Sequence, residues 1–402
     1  SVFAIASISA MLTLCAYSFQ SPATRIAPAG RHASIAMATP NAAPIYDGEY
    51  AAELRETASA MVAPGKGLLA CDESTGTVGT RLESIGLENN EANRQKWRNL
   101  LFTTKGIGQY ISGAILFEET LFQDDPAGKP FVDVLKGNGI IPGIKVDTGL
   151  IPLCGGGDGE KWCRGLDNLA ERCAGYYKQG ARFAKWRTAL TINVAAGCPT
   201  DLAIDVAAQD LARYARICQE NGLVPIVEPE ILLDGDHDIA TTARVQERVL
   251  STVYMKLQDN GVLLEGSLLK PSMTVPGIDC ADKSDPATIA KMTVRTLDRS
   301  LPSAMPGVTF LSGGISEEDS SIYLNEINKL ERKGAFALTF SYSRALQSSC
   351  IKIWGGKEEN YQKAQDQLLA RAQANAEASA GKYVPGSQPS IEESLFVKNY
   401  VY

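Results

Sequence analysis

Eight times between Gly67 and Tyr342 a short β-rich run gives way to a stretch with helical patterning, and this alternation limits what the chain can fold into. The runs are Gly67–Asp72, Gly113–Glu118, Ile141–Asp147, Ala181–Arg187, Val224–Glu230, Leu263–Lys270, Val308–Ser312 and Phe336–Tyr342. The intervening segments carry helix-start signals: Thr200 precedes Asp201–Glu220, and Ser316–Arg332 opens on acidic residues. Strands that alternate with helices build a parallel sheet. Eight of them predict a closed (β/α)8 barrel in a single domain, with no linker inside it.

In such a barrel the C-terminal ends of the strands converge on one mouth. Here the apolar runs end in polar groups: Asp72, Lys145, Lys185 with Arg187, Glu228 with Glu230, Lys270, Ser312, and Arg344 just past the last run. Taken singly, each has an ordinary explanation. Asp72 suits a helix cap, Lys145 and Arg187 suit solvent, Glu228 suits a buried ion pair, and a strand-end lysine usually snorkels outward. Their recurrence at the same end of successive strands predicts an active site.

Lys270 is the most informative of these. Val262–Met273 is nearly continuous apolar sequence, as in a strand covered on both faces. Yet a lysine ends the run and Pro271 follows immediately. A buried ammonium must be paired or give up its proton, and a neutral lysine amine is a nucleophile toward carbonyl carbon. Lys185 is the expected cationic neighbour that favours the neutral form. Glu228 and Glu230 stand two residues apart on one strand and so share a face. They can shuttle protons to a carbinolamine hydroxyl, while Asp72 takes one from a substrate hydroxyl. Ser312-Gly313-Gly314 precedes a helix and offers backbone N–H groups to a phosphate, with Arg344 as a charged fork. Lys145 and Arg81 are candidates for a second anionic group across the mouth. Together these parts can break a carbon–carbon bond next to an imine, with no metal and no cofactor required.

Bulk properties exclude other classes. The net charge of −7 and the absence of a basic run argue against nucleic-acid binding. Nine cysteines contain no C-x-x-C pair, which leaves zinc ribbons and thioredoxin-type redox pairs unsignalled. Two histidines, His32 and His237, are too few for zinc sites built on several imidazoles and argue against a Ser-His-Asp triad. Cys154 and Cys163 flank a glycine-rich loop and form a weak candidate for a redox pair.

The segments GLLACDESTGT, ILFEETLFQ, GIKVDTG, ARFAKWR, VPIVEPEIL, LLEGSLLKPSM, FLSGGISEE and ALTFSYSRALQ resemble the strand signatures of the class I fructose-bisphosphate aldolases. The likeness runs from about Tyr50 to Tyr402. It implies that Lys270 forms the Schiff base with the ketone of fructose 1,6-bisphosphate, that Glu228 is the general acid/base, and that Lys185 assists electrostatically. It implies that Asp72 deprotonates the C4 hydroxyl, and that the products are glyceraldehyde 3-phosphate and dihydroxyacetone phosphate. Ser312, Gly313 and Arg344 match the pocket for the phosphate beside the ketone, and Lys145 and Arg187 match the far side. Glu230 and Arg81 carry over less directly. The family's C-terminal tyrosine, which aids proton exchange at the enamine, corresponds to Tyr402. The family pattern also implies a homotetramer acting in glycolysis, gluconeogenesis or the Calvin cycle. Ser343 stands where vertebrate members usually carry glycine, Thr80 where lysine is frequent, and Tyr400 where a tail histidine is common. Two alternatives compete: another Schiff-base barrel aldolase, or a non-catalytic sugar-phosphate-binding or protein scaffold.

Three segments follow. Residues 1–46 contain no Asp or Glu. Val2 to Tyr17 are apolar and small, and an Ala/Ser/Pro stretch with Arg25 and Arg31 comes after the break at Ser18–Pro22. That order resembles a signal peptide followed by a transit peptide and predicts delivery to the plastid (chloroplast) stroma, with no membrane association of the mature protein. Residues 47–380 form the barrel, and 381–402 a flexible tail.

Overall fold

The computed structural model describes residues 43–398, so Tyr402, Tyr400 and most of the predicted leader lie outside the described residues. Eight parallel strands close into the barrel predicted from the repeat. They are β1 (Gly67–Cys71), β2 (Ile111–Leu116) and β3 (Ile141–Lys145), then, after an antiparallel hairpin of β4 (Leu150–Pro152) and β5 (Lys161–Cys163), β6 (Phe183–Leu190) and β7 (Val224–Ile231). The barrel is completed by β8 (Leu268–Leu269), β9 (Gly307–Phe310) and β10 (Ala337–Tyr342). Neighbours run β1-β10-β9-β8-β7-β6-β3-β2, so the seam joins the first strand to the last. Leu68 stands opposite Ser341 there. The hairpin is the glycine-rich segment that sequence reasoning had as a plain loop.

Two apolar cores follow from side-chain alternation along buried strands. One parity faces outward, where Trp97, Phe102, Trp186, Tyr214 and Phe310 pack among the helices. The other faces into the barrel, where Leu68, Phe183, Val224, Ile226 and Leu268 meet the helix Ala51–Met61. The Phe183 ring leaves no room across from it, since a Cβ on Gly143 would fall 2.2 Å from the ring.

On the inward parity the chemistry changes from apolar to charged toward the strand ends. Phe183 is followed by Lys185 and Arg187, Ile226 by Glu228 and Glu230, Leu268 by Lys270, and Gly143 by Lys145. The register places Lys145 beside Lys185 and Arg187 beside Glu228. An apolar floor therefore carries a charged upper layer.

One strand differs from expectation. Of the run Leu263–Lys270 only Leu268–Leu269 is a strand, and Leu264–Gly266 is a 3-10 turn. The chain there passes beneath the helix Ala51–Met61 so closely that a Cβ on Gly266 would fall 2.9 Å from Leu54. Gln219 supplies the hydrogen bonds a ladder would have made. Its amide donates to the Leu263 and Gly266 carbonyls, and its oxygen accepts from the Leu263 N–H. The ladder resumes at Leu268, paired with Ile226, and carries on to Lys270, whose N–H donates to the Val227 carbonyl at 2.8 Å.

The tail, whose composition predicts flexibility, makes a series of contacts as far as Phe396. The Tyr383 hydroxyl, the Gly386 N–H and the Ser390 hydroxyl all donate to the Glu318 carboxylate at 2.7–3.0 Å. The Ile391 N–H donates to Glu317, and the Leu395 N–H to the Gly314 carbonyl. Gly314 is required twice over: its φ is +104°, and a Cβ would lie 2.8 Å from the Phe396 Cα.

Candidate active site

Lys185 sits at the centre of the charged layer and is fully buried. Its Nζ is 2.7 Å from Asp72 Oδ2 and 3.3 Å from Glu228 Oε2. The other Glu228 oxygen is 3.2 Å from Lys270 Nζ, so one carboxylate spans the two lysines. Beside them Lys145 pairs with Asp147 at 2.7 Å, and Arg187 Nε with Glu230 at 2.5 Å. Four cations thus face four carboxylates, and every member is buried. Charges can persist out of water only with such pairing.

The electrostatics follow from that arrangement. Burial disfavours ionisation of Asp72, but the ammonium groups of Lys185, Lys270 and Lys145 outweigh it and pull its pKa down to about 2. Burial likewise works against the Lys185 ammonium, yet Asp72, Glu228 and Asp147 hold it above the ordinary lysine value. The two shifts agree: Asp72 stays a carboxylate and Lys185 stays charged. Lys185 therefore meets Lys270 through the shared Glu228, as a fixed cation rather than as a bare like-charge neighbour.

Lys270, Glu228, Glu230, Arg187, Ser312, Gly313 and Arg344 all line one small space of about 40 Å³. Asp72, Lys185 and Lys145 belong to the same layer through the ion pairs above. Arg81 does not sit with Lys145 as expected. It lies on the seam side, where Nη1 pairs with Glu73 and Nη2 donates to Ser343 Oγ. Together with Arg344 it lines a larger cavity of about 740 Å³, whose walls also hold Ser74, Thr77 and Thr80. Lys270 is the strand-end lysine that borders the smaller space. The larger cavity adjoins it through Arg344 and has room for a substituent.

Sequence reasoning passed over two acids. Asp147 was legible by parity, since it stands two residues beyond Lys145. Glu73 was not, because it has the opposite parity to Asp72 and its partner Arg98 comes from a helix 25 positions away, at 2.7 Å. Of the weak redox candidates, Cys163 is buried and burial drives its thiol pKa upward, while Cys154 is exposed. Both are free thiols.

A parallel barrel that brings paired amines and carboxylates to one mouth, beside cationic cavities, defines an enzyme acting on small anionic carbonyl compounds. Comparison with known proteins specifies which. The model of the family "Glycolytic: Fructose-bisphosphate aldolase class-I" matches residues 53–402. Fructose-bisphosphate aldolase 1 of Toxoplasma gondii is 59% identical over 88% of this chain and 97% of its own length. The chloroplastic fructose-bisphosphate aldolase of Oryza sativa subsp. japonica is 51% identical over 94% of this chain and 95% of its own. Among solved structures, the Plasmodium falciparum aldolase, crystallised with TRAP and a small-molecule inhibitor, superposes with a TM-score of 0.83 at 56% identity. That match covers 85% of this chain and 98% of the other. The chain belongs to the class I fructose-bisphosphate aldolases, carbon–carbon lyases of glycolysis that act on phosphorylated sugars.

Proposed function

We propose that cleavage of fructose 1,6-bisphosphate runs through a Schiff base on Lys270, and the Glu228 bridge between Lys270 and Lys185 carries this reading. The Lys270 amine adds to the C2 ketone. Glu228, within 3.2 Å of that nitrogen, takes the proton that Lys270 gives up and returns it to the carbinolamine hydroxyl, which leaves as water. Asp72 takes the C4 hydroxyl proton, and its ionised state suits a base. The C3–C4 bond then breaks, its electron pair flows into the iminium to give an enamine, and glyceraldehyde 3-phosphate leaves. Protonation at C3 and hydrolysis release dihydroxyacetone phosphate, with Tyr402 as the proton donor implied by the family pattern.

Lys185 keeps its positive charge between Asp72 and Glu228 while Lys270 is uncharged. Ser312, Gly313 and Arg344 hold the phosphate beside the ketone. Lys145, Arg187 and Glu230 line the sugar, and Arg81 faces the second phosphate from the larger cavity. Borohydride reduction in the presence of dihydroxyacetone phosphate, followed by peptide mass spectrometry, tests the assignment. A reduced adduct on Lys270 is expected, and an adduct on another lysine overturns the roles.

The acid-free leader, together with the chloroplastic relative, supports a plastid stroma location. A fluorescent fusion of residues 1–46 that stays in the cytosol refutes it. The family pattern supports a homotetramer, which light scattering measures directly.

A further inference from the structure

After the helix Tyr361–Ser379 the described tail contains no helix or strand, and it is held at the first turn of the helix Glu317–Lys329. Three acids, Glu317, Glu318 and Asp319, crowd that turn. Glu318 is the anchor: Ser390 Oγ donates to its Oε2 at 2.7 Å, beside the bonds from Tyr383 and Gly386. Burial opposes ionisation of Glu318, but these donors and Arg371 outweigh it and hold its pKa below the ordinary glutamate value. Ser390 is half-buried, its neighbour Pro389 is exposed, and two exposed acids follow at Glu392 and Glu393. Serine with carboxylates two and three places on, in a segment without secondary structure, is a charge pattern suited to acid-directed protein kinases. Ser316 has more acids after it, yet it is 2% exposed and its hydroxyl caps the helix.

We propose that Ser390 is a phosphorylation site for an ATP-using, acid-directed protein kinase, and that phosphate there drives the tail off the barrel by repulsion from Glu318. The Ser390 oxygen attacks the γ-phosphorus of ATP and its proton passes to the base of the kinase. The bond to the β-phosphate oxygen breaks, and ADP leaves with that electron pair. A donor 2.7 Å from a carboxylate thereby becomes a group of about −1.5 to −2 charge whose oxygens are strong acceptors. A helix N-terminus favours an anion, but this one is already supplied with three acids. The contacts just downstream are the next to open: the Ile391 N–H to Glu317, the Leu395 N–H to the Gly314 carbonyl, and Arg344 Nη1 to the Leu395 carbonyl. Leu395, Val397 and Lys398 line the larger cavity, so the modified protein loses that wall.

The full chain is incubated with casein kinase II and MgATP, and the phosphate is located by peptide mass spectrometry. Incorporation at Ser390 is expected; a chain that takes phosphate only elsewhere, or none, overturns the site. Trypsin then reads the tail through the bond after Lys382, because cleavage follows the population of the released form. Ser390→Ala loses the hydroxyl bond without gaining charge, and should be cut roughly three- to tenfold faster than wild type. Phosphorylated wild type should be cut at least about tenfold faster again, since like charges in contact cost more than a missing bond. Glu318→Gln keeps an acceptor but no charge, so its phosphorylation should change the rate by less than about threefold. Hydrogen exchange at the Leu395 amide should rise together with cleavage in phosphorylated wild type. Equal acceleration of wild type and Glu318→Gln overturns the release by repulsion. So does slower cleavage of phosphorylated wild type, the sign of a phosphate captured by Arg371. None of these readouts requires turnover, so they decide the role of Ser390 whatever the borohydride experiment shows.

Discussion

Glu228 holds one ammonium on each carboxylate oxygen, and the two positions are not equivalent. Lys185 is enclosed and is also held by Asp72, whereas Lys270 borders the open space. Replacing Lys270 by methionine should abolish the borohydride adduct and reduce kcat by about 10⁴-fold or more, as losing a covalent nucleophile does elsewhere, with the fold retained by circular dichroism. Replacing Lys185 by methionine should act on stability as well. It leaves Asp72 and Glu228 facing each other without their shared cation, a loss worth about 3–5 kcal/mol, measurable by urea unfolding. Asp72 gives the acid limb. Its folded pKa lies below the unfolded value of roughly 3.9, so its contribution is present above that value and is lost as pH falls toward about 2. The stability gap between wild type and Asp72→Asn should therefore be widest near neutrality and should narrow between pH 4 and pH 2.

At the scale of elements, strand parity explains most of what could be read from the sequence. Lys185 with Arg187, and Glu228 with Glu230, are each two residues apart, so a correct strand assignment put them on one face without further information. The same rule reached Asp147 and was not applied to it. What parity cannot reach is a partner on another element: Glu73 with Arg98, Arg81 with Ser343, and Gln219 standing in for the ladder at Leu263. Each depends on how helices pack, which no local pattern encodes. The tail is a further case, since its glycines and prolines predict freedom while Glu317 and Glu318 collect four of its N–H and O–H donors. Replacing Glu318 by alanine should leave the barrel intact and expose the bond after Lys382 to trypsin, with cleavage several times faster than in wild type. Unchanged cleavage would mean that Glu317 and the Gly314 contact suffice.

For the whole molecule, the decisive feature is that the barrel closes at all. Its floor is packed around Phe183, and a valine at Gly143 should overfill it, costing about 1–3 kcal/mol in a thermal melt while the charged layer above keeps its pairing. The seam is equally consequential. Arg81 belongs to the first βα unit and Ser343 to the last, 262 residues later, and between them the chain must lay down every other strand. A ribosome-bound chain that has emerged only as far as β9 already carries Lys270, Glu228 and Lys185, yet has no second wall to the larger cavity. Sugar bisphosphate can therefore reward only the finished product of translation. The ligand acts as an inspector at the end of the assembly line, adding stability to chains whose two ends have met and none to those still waiting for the last strand.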